Sequence, residues 1–577
     1  MKIFKKKKEE NKMPWIKVYE DKNIKKEVDY SGSMYDKILE SRKNYPYNIA
    51  YTYFKTSSTY KKFIKDVNKC AKALKNIGVK EKDVVTICMP NTPEAIITFY
   101  AINKIGAIAN MVHPLSSENE IKKYVNESSS KVMLAINLIM PKLKNIINET
   151  CLEKIIVAKV NDRMDTLTSI GYYLISGRKY KKIKDDDRII YFKKFFHDSK
   201  KYKKEIDIVV DPKAPAVILH SGGTTGKPKG IVLSSESFNY IAASELEVCK
   251  DLSEGISVLS AMPIFHGFGL GSTIHAPLYV GGTCKLLPQL NPKKFGKTIK
   301  KYKPNIIACV PSLYEALISS KALKNEDLSF IICAICGGDN LTKNLKEKVD
   351  KFFKEHESTA EVRSSYGMTE CTSGVTMMPK KSGKLEGIGV PCPHSFVKIV
   401  SPNTNIELSY GEIGEICVSG PSVMIEYLNE PEETSKILRK HDDGKLWLHT
   451  GDLGYMDKEG YVYFKQRLKR MIISNGYNIY PSQIEEVISS HPDVLSCTVI
   501  GVNHSKKGQV PKAFIVLKEK VESNYKLKQS IIKLCEENIS AYALPTKYEF
   551  RDALPKTLVG KVAYRELEEE EEKNEEE

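Results

Sequence analysis

A single rhythm runs through most of this chain: a short apolar run, a cluster of Gly, Ser or Pro, then a helical pattern. DVVTICMP (83–90), VMLAIN and KIIVAKV read as buried strands, because runs without polar alternation have no face to give to solvent. NTPEAIITFYAINKIG reads as the helix after the first of them, with Asn91 or Thr92 as its cap and Pro93 in its first turn. From Ala214 to about Ser401 the rhythm resumes through PAVILHS, ISVLSAMP, GGTCKLL, NIIACVP, FIICAICGG and AEVRSSYGMTE. Strands alternating with helices predict parallel α/β layers. FVKIV, GEICVSG, KLWLHTGDLGYMD and GYVYFKQR then predict a β-rich section with Gly-rich hairpin turns.

The expected organisation is a flexible lead-in (1–32), a large α/β domain ending in the β-rich part (33–466), a junction at RLKR (467–470) and a small α+β domain (471–567). A solvated acidic tail (568–577) closes it, since Glu566 to Glu577 holds nine Glu and one Lys. Such a chain buries a large core without disulfides. Its 13 cysteines are odd in number and scattered through apolar runs, which predicts reduced thiols and a cytoplasmic setting. The C-x-x-C at Cys333 and Cys336 reads as two buried strand positions.

The net charge of +17 comes from Lys spread along the chain rather than gathered in one patch, so no nucleic-acid partner is expected. MKIFKKKKEENK has no apolar core after its charges, so no secretory leader is expected. No uncharged, uninterrupted apolar run reaches the roughly 18 residues of a membrane span. Residues 161–202 mix aromatics with dense Lys and Arg, and two readings compete there: an amphipathic helix with a connector, or a patch that lies on a membrane surface.

Four stretches carry chemistry. HSGGTTGKPKGIV (220–232) resembles the phosphate loop G-x-x-x-x-G-K-[ST] but has Ser221 at the first glycine position and Pro228 after Lys227. Its Gly222, Gly223 and Gly226 let backbone N–H groups converge on an anion. Ser221, Thr224 and Thr225 add hydroxyls, and Lys227 and Lys229 add charge. SYGMTE (365–370) sets the Thr369 hydroxyl beside the Glu370 carboxylate, an oxygen donor that suits Mg²⁺. TGDLGYMD (450–457) places Asp452 where it can accept both hydroxyls of a ribose, and PKTLVGKVAYREL (555–567) sets Lys561 beside Gly560. Each alone has a plain reading as a turn, a loop or a surface lysine.

In this order and company, the four stretches resemble the adenylate-forming superfamily of acyl- and aryl-CoA synthetases, firefly luciferase and peptide-synthetase adenylation domains. The resemblance runs from about Ser33 to Leu567. It implies two steps: a carboxylate attacks the α-phosphorus of ATP to give acyl-AMP and pyrophosphate, then the thiol of coenzyme A displaces AMP. It also implies roles. Ser221 to Gly230 would grip the departing pyrophosphate, with Lys229 prominent. Thr369 and Glu370 would address the phosphates and Mg²⁺. Gly337, Gly338 and Asp339 would edge the adenine, Tyr366 beside Gly367 would stack on it, and Asp452 and Arg467 would hold the ribose. Lys561 would bridge the carboxylate and α-phosphate. Lys469 would be the hinge of a mobile C-terminal domain that brings the loop at Gly476 to the pantetheine channel. Gln466 and Arg470 depart from the pattern of many relatives there.

PIFHGFGLGSTIHAPLYVGG (263–282) matches the family's acyl-pocket border. His266 stands where amino-acid-activating relatives carry an Asp, which disfavours a substrate ammonium. Gly269, Gly271 and Ser272 suggest room for a chain, and His266 would gate it. The GGTTG spelling resembles fatty-acyl-CoA ligases, so a medium- or long-chain fatty acid is the expected substrate. The competing readings are an aromatic acid, an acyl-AMP ligase that loads a carrier protein, and a non-catalytic nucleotide- or nucleic-acid-binding protein.

Overall fold

The computed structural model describes residues 13–175, 186–220, 228–474, 477–504, 507–556 and 562–576. In the first of its sheets, β1 (Val84–Cys88) lies between Ile108–Met111 and Val132–Ile136, with Lys154–Ala158 and Ile189–Tyr191 beyond. All of these run parallel, as does β2 (Pro215–His220) on the other flank. Helix α1 (Pro93–Lys104) follows β1, and its Thr92 cap accepts from the Ala95 N–H with Pro93 in the first turn. Asn91 is used otherwise. Its amide donates to the carbonyls of Ser260 (2.8 Å) and Met262 (2.9 Å) and accepts from the Ile264 N–H (2.8 Å), pinning this helix entrance to the second sheet.

After β2, strand β3 (Gly230–Ser234) returns antiparallel and leads into α2 (Ser235–Cys249). The second sheet has nine strands with a parallel centre, where β4 (Cys333–Cys336) pairs with β5 (Val362–Gly367). An antiparallel third sheet pairs β6 (Leu446–Met456) with β7 (Val462–Arg467). The C-terminal unit folds around Ile472, Ile484, Ile488, Val499, Ile515 and Ile531, a core of its own. HSGG follows β2, GGD follows β4 and SYGMTE completes β5, so the carboxyl ends of parallel strands deliver three of the motifs, as open α/β sheets deliver their ligand sites.

Both ends are more ordered than their composition predicts. Trp15 and Tyr19 are buried within and beside the helix Ile16–Asp21, and the Tyr19 hydroxyl donates to the Pro391 carbonyl, so the lead-in is packed from Met13. The tail forms α3 (Tyr564–Glu576), with Leu567 fully buried. Lys512 pairs with Glu571 and Glu549 at 2.7 Å each, and Arg551 with Glu570 at 2.6 Å. Cations from neighbouring strands offset the repulsion that the Glu run would otherwise suffer. Within 161–202, Thr166–Ile175 is helical and Leu167, Ile170 and Leu174 are exposed. Ile189–Tyr191 adds a strand that the sequence reading did not foresee. Among the described residues no helix is long and apolar enough to cross a membrane. All thirteen cysteines are free, and Cys333 and Cys336 are buried strand positions as expected.

Candidate active site

Two close approaches draw the motifs together. A Cβ on Gly367 would stand 1.6 Å from the Ser373 carbonyl oxygen, and one on Gly267 would stand 1.8 Å from that of Thr372. Only glycine fits at either point, so the turn after SYGMTE packs directly on the HGFG segment.

The hairpin of β6 and β7 makes Asp452 and Arg467 register partners, and their side chains pair at 3.2 Å from Nε to Oδ1. From β5, the Tyr366 hydroxyl donates to Asp452 Oδ2 at 2.8 Å. Asp452 is only 2% exposed. Burial and this carboxylate hold the Tyr366 phenol far above its usual range, so it remains a donor. Tyr366, Asp452 and Arg467, separated in the chain, form one cluster.

A second cluster centres on Tyr427, which the sequence reading missed. The two-residue strand Glu426–Tyr427 pairs with β3, opposing Tyr427 to Ile231 of the HSGGTTGKPKGIV stretch. The Tyr427 hydroxyl donates to Glu370 Oε1 at 2.8 Å, and the Lys229 ammonium stands 4.6 Å over its ring. Lys229 also pairs with Glu433, and with Lys436 it pulls that carboxyl down to about 2. Glu370 is buried, and desolvation raises its pKa despite the Tyr427 hydrogen bond. Thr369 opens the short turn Thr369–Cys371 beside it.

The adenine-edge candidates form the turn after β4, where Gly338 takes a positive φ of 82° and the Asp339 carboxylate accepts from the Asn340 N–H at 2.8 Å. Phe268 lies 3.6 Å from where a Gly337 Cβ would be, so the acyl-border segment abuts this turn. His266 is half-buried at the entrance to the helical segment Phe268–His275, and its Nδ1 accepts from the Phe268 N–H at 3.3 Å. The small residues after it do not leave open room. A Cβ on Gly269 would stand 1.9 Å from the Pro263 oxygen, and one on Gly271 would touch Ile241, Ser373 and Phe238. Their smallness serves close packing.

Beneath that segment lies Glu245, buried on α2, accepting from Ser272 Oγ at 2.6 Å. Burial pushes its carboxyl up to about 8. Between 4.5 and that value the folded chain keeps a proton that the unfolded chain has released. Its contribution is therefore complete below 4.5 and lost as pH rises toward 8, by at most about 1.4 kcal/mol per pH unit. Glu245→Gln is expected to flatten this dependence, so melting temperatures at both ends of the window should differ less than in the wild type.

Lys469 is exposed and joins neither cluster. Its neighbour Arg470 donates to Glu485 Oε1 (2.6 Å) and the Val499 carbonyl (3.0 Å), tying the junction to the C-terminal unit. Arg470 also stacks 3.8 Å over Tyr564, whose phenol feels the charges of Asp339 and Arg467. The C-terminal unit thus borders the Asp452 cluster. Ser221, Gly222, Gly223, Thr224, Thr225, Gly226, Gly476 and Lys561 lie outside the described residues.

The profile of the AMP-binding enzyme family matches residues 39–428, and that of the AMP-binding enzyme C-terminal domain matches residues 483–561. A long-chain-fatty-acid–CoA ligase of Bacillus subtilis (strain 168) is 32% identical over 574 residues, which is 98% of this chain and 99% of that protein. A probable 4-coumarate–CoA ligase 1 of Dictyostelium discoideum is 28% identical, covering 89% of this chain and 90% of its own. The crystal structure of the anthranilate CoA ligase AuaEII in complex with anthranoyl-AMP superposes with a TM-score of 0.79 at 23% identity, over 93% of this chain and 97% of that one, and shows the same fold.

Proposed function

From the premise that this chain belongs to the AMP-binding enzyme family, we propose that it is an ATP-dependent acid–CoA ligase acting on medium- or long-chain fatty acids. The observation that carries the reading is the meeting of Lys229 and Glu370 on Tyr427, which joins a candidate phosphate-binding cation to a candidate magnesium ligand. The fatty acid is favoured by His266 in place of a carboxylate and by the near full-length similarity to a protein named for long-chain fatty acids.

In the first step a carboxylate oxygen of the acid bonds to the α-phosphorus, the bond to the bridging oxygen breaks, and pyrophosphate leaves. Lys229 and the loop before it would take up the charge of that leaving group, leaving Glu433 for phosphate. Asp452 would accept the ribose hydroxyls while Arg467 fixes its orientation. Tyr366 would face the base, with Gly337, Gly338 and Asp339 at its edge. Lys561 would stand between the two anions that must meet, and His266 would close over the acid. Glu370 and Thr369 offer the hard oxygen donors that Mg²⁺ takes, and the raised Glu370 carboxyl marks a buried charge that a cation would stabilise. Bound there, Mg²⁺ would neutralise phosphate charge. In the second step the coenzyme A sulfur bonds to the acyl carbon and AMP departs. Rotation about Lys469 would withdraw Lys561 and bring up the loop at Gly476.

A pyrophosphate-release assay with acids of increasing chain length, with and without coenzyme A, tests this. Fatty acids should drive release of pyrophosphate, and acyl-CoA should form in step with AMP. Faster turnover of aromatic acids would overturn the substrate class. Acyl-AMP that passes to a carrier protein but never to coenzyme A would overturn the acceptor.

A further inference from the structure

Where α2 ends at Cys249 and β4 begins at Cys333, the two sulfurs lie 3.3 Å apart with both residues buried. The guanidinium of Arg363, from the start of β5, is buried with them. Its Nη2 lies 2.8 Å from Cys333 Sγ, 3.2 Å from Cys249 Sγ, 3.3 Å from the Cys249 carbonyl oxygen and 2.8 Å from Asp251 Oδ2. A guanidinium stays charged in a protein, and one so deeply buried needs anions around it. Asp251 serves two cations, since its other oxygen pairs with Lys380. One carboxylate between two cations leaves room for a second negative charge, which a thiolate would supply.

The sulfurs are not equivalent. The hydrogen bond between the two sulfurs, aided by Arg363, holds the Cys249 thiol below its ordinary value, while that same bond and burial hold Cys333 far above. Cys249, Asp251 and Cys333 are also grouped closely enough to invite a metal, but Arg363 already stands among them as their cation. The cluster is one ion pair below the surface, because the Lys380 side chain is 43% exposed.

We propose that Cys249 and Cys333 are a redox-active pair that hydroperoxides close to a disulfide, and that closure weakens nucleotide binding. The Cys249 thiolate bonds to a peroxide oxygen and the O–O bond breaks. The leaving oxygen departs as water or an alcohol after taking a proton, and Cys249 carries a sulfenic acid. The Cys333 sulfur then bonds to Cys249 Sγ, the S–O bond breaks and water leaves with the Cys333 proton. Two thiols give two electrons and two protons to the peroxide. The disulfide has no charge to offer Arg363, which then depends on the carboxylate that Lys380 shares. Arg363 stands three residues before Tyr366 on the same strand, so a shift there reaches the Tyr366–Asp452 cluster. This coupling to ATP rests on the ligase reading above; the disulfide chemistry does not.

The test uses the full-length Cys151→Ser variant, which removes the exposed thiol. Reduced protein is treated with hydrogen peroxide, alkylated under denaturing conditions and digested without reductant. A linked Cys249–Cys333 peptide should appear and vanish with dithiothreitol. In an added Cys333→Ser variant, Cys249 should be trapped by dimedone as its sulfenic acid. Two cysteines still open to alkylation, or dimedone on Cys333 in a Cys249→Ser variant, would overturn the assignment. The linked protein should show a KM for ATP raised by about 2- to 30-fold, restored by reductant and absent in both serine variants. An unchanged KM in fully linked protein would overturn the coupling. A protein without any ATP turnover would count against the ligase reading, and the peptide map would still decide the disulfide.

Discussion

Asp452→Ala is expected to lower kcat/KM for ATP by about two to three orders of magnitude, mostly through KM. Asp452 is buried, takes the Tyr366 hydroxyl at 2.8 Å and pairs with Arg467 at 3.2 Å. Alanine removes the acceptor proposed for the ribose hydroxyls and leaves a phenol and a guanidinium without their anion. The cost is therefore more than one lost contact, because the orphaned partners must be resolvated or must turn away. Asp452→Asn keeps the shape and one acceptor oxygen, so its loss should fall between alanine and wild type. Initial rates against ATP, at saturating acid and coenzyme A, measure the effect. A melting curve for each variant separates lost binding from lost folding. An unchanged KM for ATP in a folded Asp452→Ala protein would remove Asp452 from the nucleotide site.

What the residues announced in advance follows from the range over which each signal acts. The alternation of apolar runs and helices is local, and it carried the parallel layers, the β1–α1 crossover and a cap at Asn91 or Thr92, of which Thr92 serves. Asp452 and Arg467 were named together only through the family resemblance; the structure adds that one hairpin joins them, so strand register brings them opposite each other. Tyr427 and Glu433 were not legible. EYLNEPEET shows a helix start at Pro431 and nothing more. Their meeting with Lys229 depends on a two-residue strand that joins β3 from nearly two hundred positions away. Composition misled at the acidic end, where Lys512 and Arg551 supply the charge that lets the Glu run fold as α3. It misled again at Gly269 and Gly271, where small size reads equally as space or as close packing. Cys333 was correctly read as a buried strand residue within its C-x-x-C. The sulfur it meets is that of Cys249, on another element and without any spacing signal.

Lys561→Ala should separate the two half-reactions. The acid carboxylate and the α-phosphate are both anions, and bringing them within bonding distance in a water-poor site costs several kcal/mol unless a cation stands between them. Lys229 belongs to the Tyr427 cluster, where its proposed partner is the leaving pyrophosphate, and Arg467 is occupied by Asp452. Tyr564, three positions beyond Lys561, carries Arg470 of the junction over its ring, so the C-terminal unit meets the junction near the position from which the proposed lysine would act. Without the lysine, pyrophosphate release should fall by about two to three orders of magnitude. Conversion of supplied acyl-AMP and coenzyme A to acyl-CoA should stay near wild type, since that step breaks the acyl–phosphate bond after the two anions have already been joined. Acid-dependent exchange of pyrophosphate into ATP reads the first half, and thioester formation from the adenylate reads the second. Equal loss in both would mean that the lysine holds the C-terminal unit together rather than serving the chemistry. Loss confined to the thioester half would reverse the proposed division of labour between Lys561 and the loop at Gly476.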